Sequence, residues 1–236
     1  MGSVAGAYTY YTEGETPLVL YTRRFPVELR TDEPKEQAML RALQILGDTL
    51  VKEGAPVLAR HTGSGSAHSI LVSIDSPWQK TSVRTEYIEE DKNAEFTFTK
   101  GLVTDVVEKS NVDIPGKMLV DESIIGTILN GYETRSPYGM TAHRAAIVIL
   151  TSLIEEPVAK SIISTIQKIF HTRHILPIAG SSLRSQAIQR AFPHEQDALI
   201  IDATGPFTPI ALIRKGLLVS ISDVAVSSTD TADSWV

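Results

Sequence analysis

The chain has no cysteine, so a disulfide scaffold, thiol catalysis and cysteine-ligated zinc are all excluded. Aromatic residues make up only 6% of it. Long apolar stretches are missing as well. The longest, Ala145 to Leu150, has six residues, whereas about 20 are needed to cross a bilayer as a helix. The opening residues Met1-Gly2-Ser3-Val4-Ala5-Gly6 have neither the basic start nor the apolar centre of an export signal. Gly6 stands where a myristoylation signal requires Ser or Thr. Basic charge is in the minority: 22 Lys and Arg against 28 Asp and Glu give a net charge of −6. A nucleic-acid binder needs a basic stripe to neutralise phosphates, and this balance argues against one.

What is present is globular. The 236 residues are 42% hydrophobic and 21% charged, enough apolar side chain to fill a core. That length implies one large domain or two small ones. Ala7 to Tyr11 and Pro17 to Tyr21 read as two strands around a Gly-containing loop. A helix follows with Thr31 or Asp32 as its expected N-cap and Pro34 near its first position. Met39, Leu43, Leu46 and Leu50 mark its buried face, and Gly54 and Pro56 are expected to end it. His61 to His68 (HTGSGSAH) reads as a loop. Strands are expected at Ser69 to Ile74 and Val83 to Ile88, and a helix near Lys100 to Ser110. A hairpin-like pair should flank Asn130 to Gly139. Arg144 to Thr151 is apolar on both faces, as a buried central strand would be. The strongest helix signal follows, where Glu155-Glu156-Pro157 precedes a Val158, Ile162, Ile166, Ile169 stripe. Ile175 to Ile178, a short helix near Leu183 to Phe192, and strands at Ala198 to Ile201, Ile210 to Ile213 and Leu217 to Ser222 complete the pattern. The Ser/Thr/Asp-rich residues Val226 to Val236 read as a frayed tail.

Few residues suggest chemistry. Asp202 ends an apolar strand and is followed by a Gly-containing turn and a second apolar strand. Such a hairpin can offer backbone N–H groups to a phosphate while its Asp holds a metal through water. The same residues also suit an ordinary hairpin in which Asp202 starts the turn and Gly205 supplies positive φ. His171-Thr172-Arg173-His174 lies at a helix C-terminus, where cationic groups face the last carbonyls, so it reads as a cap rather than a metal site. Gly63 to Ser66 lacks the Lys-Ser/Thr of a P-loop. Gly180-Ser181-Ser182 is not a nucleophile elbow. Glu89-Glu90-Asp91 reads as a solvated turn, and Trp78 as a packed aromatic at a strand end.

Taken in order, these elements resemble the bacterial actin-like proteins of the FtsA and PilM type, which act in cell division and type IV pilus assembly. The resemblance is carried by SILVSIDSPW after Ser69 and by ILNGY, SPYGM and AAIVILTSLIEEPVAKSIISTIQKIF between Ile128 and Phe170. LPIAGSSLRSQAI and DALIIDATGPFTPIALIRKGLLV between Ile175 and Leu218 complete it. It implies an α/β fold with an α+β insertion, a partial actin-like (ribonuclease H-like) core carrying an SHS2-like subdomain. The implied division is 1–68 for the first part of subdomain 1A and 69–170 for the SHS2-like subdomain 1C. Residues 171–197 would return to 1A, and 198–236 would begin domain 2 with its phosphate-2-like hairpin and tail.

The resemblance also implies ATP and Mg²⁺ as cofactors. Gly2 and Ser3 would then stand on the phosphate-1 side, and Asp202, Thr204, Gly205 and Thr208 on the phosphate-2 side, with Asp202 the metal residue through water. The departures weigh against catalysis. Thr204 and Pro206 stand for family glycines, Phe207 for a Thr and Pro209 for a second Asp. Proline has no N–H to give a phosphate. The family's first strand with its Asp, and its adenosine motif, have no counterpart in the sequence.

The expectation is therefore an assembly or protein-interaction element of the pilus or division machinery with weak or no nucleotide hydrolysis. It would be cytoplasmic, reaching the inner face of the membrane through protein partners, and able to form a homo-oligomer or filament. The alternative is an ATP-binding actin-like ATPase. An α/β enzyme of unrelated type finds no nucleophile or base constellation to support it.

Overall fold

The computed structural model describes residues 2–88, 94–110, 114–134, 136–192, 194–195, 197–202, 207–214 and 217–225. The chain is mixed α/β, as its pattern implies. The loop at Glu89-Glu90-Asp91, the turn at Lys215-Gly216 and the tail from Val226 lie outside the described residues.

Strands β1 (Ser3–Tyr10) and β2 (Leu18–Pro26) form an antiparallel hairpin. Helix α1 (Lys35–Thr49) follows with Pro34 as N-cap, and it does not stop where Gly54 and Pro56 were expected to stop it. A single wide, π-helical turn (Leu50–Gly54) leads directly into α2 (Ala55–Thr62), which closes on Gly63 at φ 80°. Two physical facts explain the difference. Pro56 lies in the first turn after the wide turn, where a missing N–H costs little. Gly54 serves packing: a β-carbon there would fall 2.7 Å from the Tyr8 ring and 2.8 Å from the Tyr21 ring. In an uninterrupted α-helix Leu58 would drift about 120° around the axis from Leu46. The wide turn absorbs about one residue of that drift, ~100°, and Leu46, Leu50 and Leu58 share one cluster with Tyr8.

Strand β3 (Ile70–Ile74) ends at Asp75, and β4 (Gln79–Ile88) begins after the Asp75–Trp78 turn. Next come β5 (Phe96–Thr97), α3 (Lys100–Lys109), β6 (Lys117–Leu129), β7 (Tyr132–Glu133), β8 (Thr141–Ala142) and β9 (Ala145–Glu155). The order β4-β9-β6-β7 makes a four-stranded sheet, antiparallel throughout. Strand β9 lies inside this sheet, which agrees with the two-sided apolar reading of Arg144 to Thr151. Ile147 and Ile149 pack toward α3 with Phe98 and Val103, while Leu150 joins Ala211, Ile213 and Leu218 on another side. Thr99 caps α3, its hydroxyl accepting from the Leu102 N–H at 3.2 Å. Arg84 holds the other end of that helix through the Ser110 carbonyl, with Glu122 2.9 Å away.

Helix α4 (Glu156–Phe170) starts with no loop after β9 and ends at His171 in the left-handed region. His171 closes the helix through its backbone, its N–H donating to the Gln167 carbonyl at 2.9 Å, where the sequence reading had cationic side chains facing the last carbonyls. Strand β10 (Ile175–Ala179) runs parallel to β3, and α5 (Gly180–Ala191) again follows its strand without a loop. Strands β11 (Ala198–Ile201), β12 (Phe207–Arg214) and β13 (Leu217–Ala225) form an antiparallel sheet. One core unites α1, β3, α4 and the end of β9 through Met39, Ile74, Ile154, Val158, Ile162 and Ile166, with Val4 and Trp78 packed against it. Trp78 is therefore the packed strand-end aromatic that was expected.

Candidate functional site

Two apolar strands, β3 and β11, each run into an aspartate, Asp75 and Asp202. Arg184, on the second turn of α5, lies between them. Its Nη1 lies 2.7 Å from Asp75 Oδ1 and its Nε 2.9 Å from Asp202 Oδ2, an ion pair to each carboxylate. Asp202 is the more enclosed carboxylate, its side chain 17% exposed against 48% for Asp75. Gly180 makes this approach possible, because a β-carbon on it would fall 2.1 Å from Asp75 Oδ1. Gly180 and Arg184 are four residues apart and so stack on one face of α5. On the far side of the same turn, the Ser76 hydroxyl donates to the Asp223 carboxylate of β13. The end of β3 is thus tied twice to the β11–β13 sheet.

Beneath the start of α5 lies a buried polar cluster. Ser181 Oγ is 2.7 Å from Thr81 Oγ1, which is 2.8 Å from Ser152 Oγ, and the Gln79 amide lies 3.1 Å from Ser181 Oγ. Ser182 donates to the Asp121 carboxylate, whose other oxygen accepts from Ser123 Oγ at 2.7 Å. Buried hydroxyls and amides persist only when paired, and this set pairs α5 to β4, β6 and β9. Thr151 Oγ1 is buried without a partner among the described residues.

The residues singled out from the sequence are distributed as follows. Asp202 is at the Arg184 fork, and its N–H donates to the Pro209 carbonyl at 3.1 Å. Thr208 lies half-buried in β12, opposite Val224 of β13. Thr204 and Gly205, with Pro206, lie outside the described residues. At the other end of the chain, the Gly2 carbonyl accepts from the Val27 N–H at 2.8 Å, and Ser3 Oγ accepts from Arg24 at 3.2 Å. Both of these contacts serve the β1–β2 hairpin. Pro209 costs the β12–β13 ladder nothing. N–H and C=O of one strand residue point the same way, and the Pro209 carbonyl points toward Asp202 rather than β13.

Arg184 and Asp75 were not singled out in the sequence. The signal was present as a repetition: Ser73-Ile74-Asp75 and Ile200-Ile201-Asp202 both close an apolar run with Asp, and two such carboxylates need a shared cation. The Arg184 guanidinium sits against Asp202 Oδ2, so that oxygen is closed to direct coordination by a metal, whereas the resemblance implies a Mg²⁺ held there through water. Among the described residues no group of three or more His, Cys, Asp or Glu could hold a metal, and no helix is long and apolar enough to cross a membrane.

No family model and no curated protein matches the chain. Among solved structures, it is similar to one described as a PilM–PilN type IV pilus biogenesis complex, with 11% identity and a TM-score of 0.49. That likeness covers 97% of this chain and 60% of the other. It is also similar to a protein of actin-like ATPase fold and unknown function from Bacteroides thetaiotaomicron, with 8% identity, a TM-score of 0.45 and 94% of this chain covered. The chain spans 60% of the first structure's length and 66% of the second's.

Proposed function

We propose that this chain is an actin-like assembly element of the PilM and FtsA type, which binds protein partners by strand pairing and has weak or no nucleotide hydrolysis. The observation that carries the reading is the outer edge of β3. Among the described residues β3 pairs with β10 alone. The Ile70 N–H donates to His174 on the β10 side, so by alternation Leu71 and Ser73 turn their N–H and C=O groups outward. Leu71 is 54% exposed beside them. An unpaired edge with a neighbouring apolar side chain is what an extended partner segment adds to.

The sequence order supports the actin-like part: hairpin, helix, strand, inserted sheet, helix, strand, helix and terminal hairpin sheet. In this reading residues 69–170 hold the SHS2-like insertion, whose sheet is β4-β9-β6-β7. The partners would be pilus-assembly or division components at the inner face of the membrane, with a second copy of the chain able to use the same edge. Pro206, Phe207 and Pro209 in place of phosphate-binding residues, and the engagement of Asp202 by Arg184, support the absence of hydrolysis. The test is two-hybrid pairing with the pilus-assembly and division components of the same organism. Ser73→Pro removes one outward N–H and no β3–β10 bond, so it should abolish pairing while the fold persists. A chain that pairs with none of them and stays monomeric at high concentration overturns the proposal.

A second reading, an ATP-binding protein, draws on the Asp202-to-Thr208 hairpin. It predicts binding of ATP with Mg²⁺ that Asp202→Ala abolishes.

A further inference from the structure

The Asp75–Arg184–Asp202 fork joins three elements that the chain order keeps far apart. Asp75 closes β3, Arg184 rides on α5, and Asp202 closes β11. Each carboxylate receives one guanidinium nitrogen, at 2.7 and 2.9 Å. These are ion pairs to a group that is never deprotonated in proteins. A third carboxylate, Asp223, is held on the same turn through Ser76. A divalent cation bound directly by Asp75 and Asp202 would need their oxygens at about 2.0–2.6 Å, in the space the guanidinium fills. The guanidinium and the metal would also repel each other at contact distance. One cation excludes the other.

We propose that Arg184 is a built-in counter-cation that stands in for a divalent metal and latches the end of β3 to the end of β11. This rests on reading the Asp202 hairpin as the phosphate side. The bridge between the two segments is then made by the protein itself and needs neither metal nor nucleotide. Gly180 is part of the device, since any side chain there would push Asp75 off the fork. Arg184 is a positioning residue: it fixes two carboxylates and, through them, two strand ends.

The test uses Mn²⁺ as the probe, read by its electron paramagnetic resonance signal and by Tm. The full chain should leave millimolar Mn²⁺ free and show the same Tm with Mn²⁺ or with a chelator. Arg184→Gln should acquire one Mn²⁺ site at least an order of magnitude tighter than any residual binding, with a Tm that rises on Mn²⁺ addition. Arg184→Gln combined with Asp202→Asn should lose that site. Mn²⁺ binding by the unaltered chain that Asp202→Asn removes overturns the latch, and so does a folded Arg184→Gln chain that gains no site. Should Arg184→Gln not fold, the unaltered chain still decides. Its Arg184 Nε–H resonance, shifted or lost in Asp202→Asn, must survive Mn²⁺ without broadening, and broadening overturns the proposal. Partner pairing is read separately, so a failed latch leaves the assembly reading standing.

Discussion

Ser181 of α5 and Thr81 of β4 approach to 2.7 Å between hydroxyl oxygens, and both side chains are about 5% exposed. This contact crosses from the helix that carries Arg184 to the four-stranded sheet, and it belongs to a cluster with little water to replace it. Ser181→Ala should therefore destabilise the chain by roughly 1–3 kcal/mol, because it leaves buried partners short of a bond. Urea unfolding checks it. Adding Thr81→Val should cost less than the sum of the single changes, as it removes one of the groups left unpaired.

Gly180→Ala places a β-carbon into the Asp75 carboxylate. Relief requires Asp75 to swing away from Arg184, which breaks one arm of the fork. Asp75 is 48% exposed and can swing into solvent, so the expected loss is about 0–1 kcal/mol, the range for one partly exposed ion pair. Asp75→Ala in the same background should recover part of it, and thermal unfolding of the two variants reads the difference.

Ile154 is fully buried where β9 meets the shared core, next to Ile74 and Val158. Truncation to Ala should cost about 2–5 kcal/mol. Leu119 on the neighbouring strand is 40% exposed, and Leu119→Ala should fall well below that range. Equal costs for the two would contradict the burial described here.

Glu33 sits in a fork of its own. Hydrogen bonds from the Arg41 side chain, at 2.8 and 3.2 Å, hold its carboxyl below the usual carboxylate range, and the Arg30 N–H at 3.0 Å adds to this. The folded chain therefore binds this proton less readily than the unfolded one. The stabilisation is fully present above the ordinary carboxylate pKa and is lost as pH falls through the lowered folded value. Between neutral and acidic pH, Tm should fall more steeply for the unaltered chain than for Glu33→Gln.

The legible and illegible parts of this molecule divide along a physical line. Strand β9 and helix α4 were readable because their apolar periodicity is imposed by burial against several neighbours at once. The β11–β13 hairpins were readable from turn residues between apolar runs. Continuation of the helix through Gly54 and Pro56 was not readable, since it depends on Tyr8 and Tyr21 pressing on a glycine from a distant hairpin. The start of α5 at Gly180, rather than near Leu183, was hidden for the same reason. Gly and Ser favour the cap over the interior of a helix, which places the expected start after them, and buried partners on β4 and β6 hold both serines inside it. Arg184 was the costliest omission, because a lone Arg on a polar helix declares nothing until the chain folds two aspartates onto it.

The wide turn at Leu50–Gly54 has one more implication, for how this chain tolerates changes in length. It holds one residue more than a regular helix needs, and its flanks stay in phase despite it. Deleting Val51, which faces solvent, would leave an ordinary α-helix with Leu46 and Leu58 still about 20° apart around the axis. The same deletion within α1, at Ala42 for instance, would rotate Met39 away from Leu46 by ~100° and split the core stripe. A shortened relative of this protein would therefore be expected to have lost its residue here.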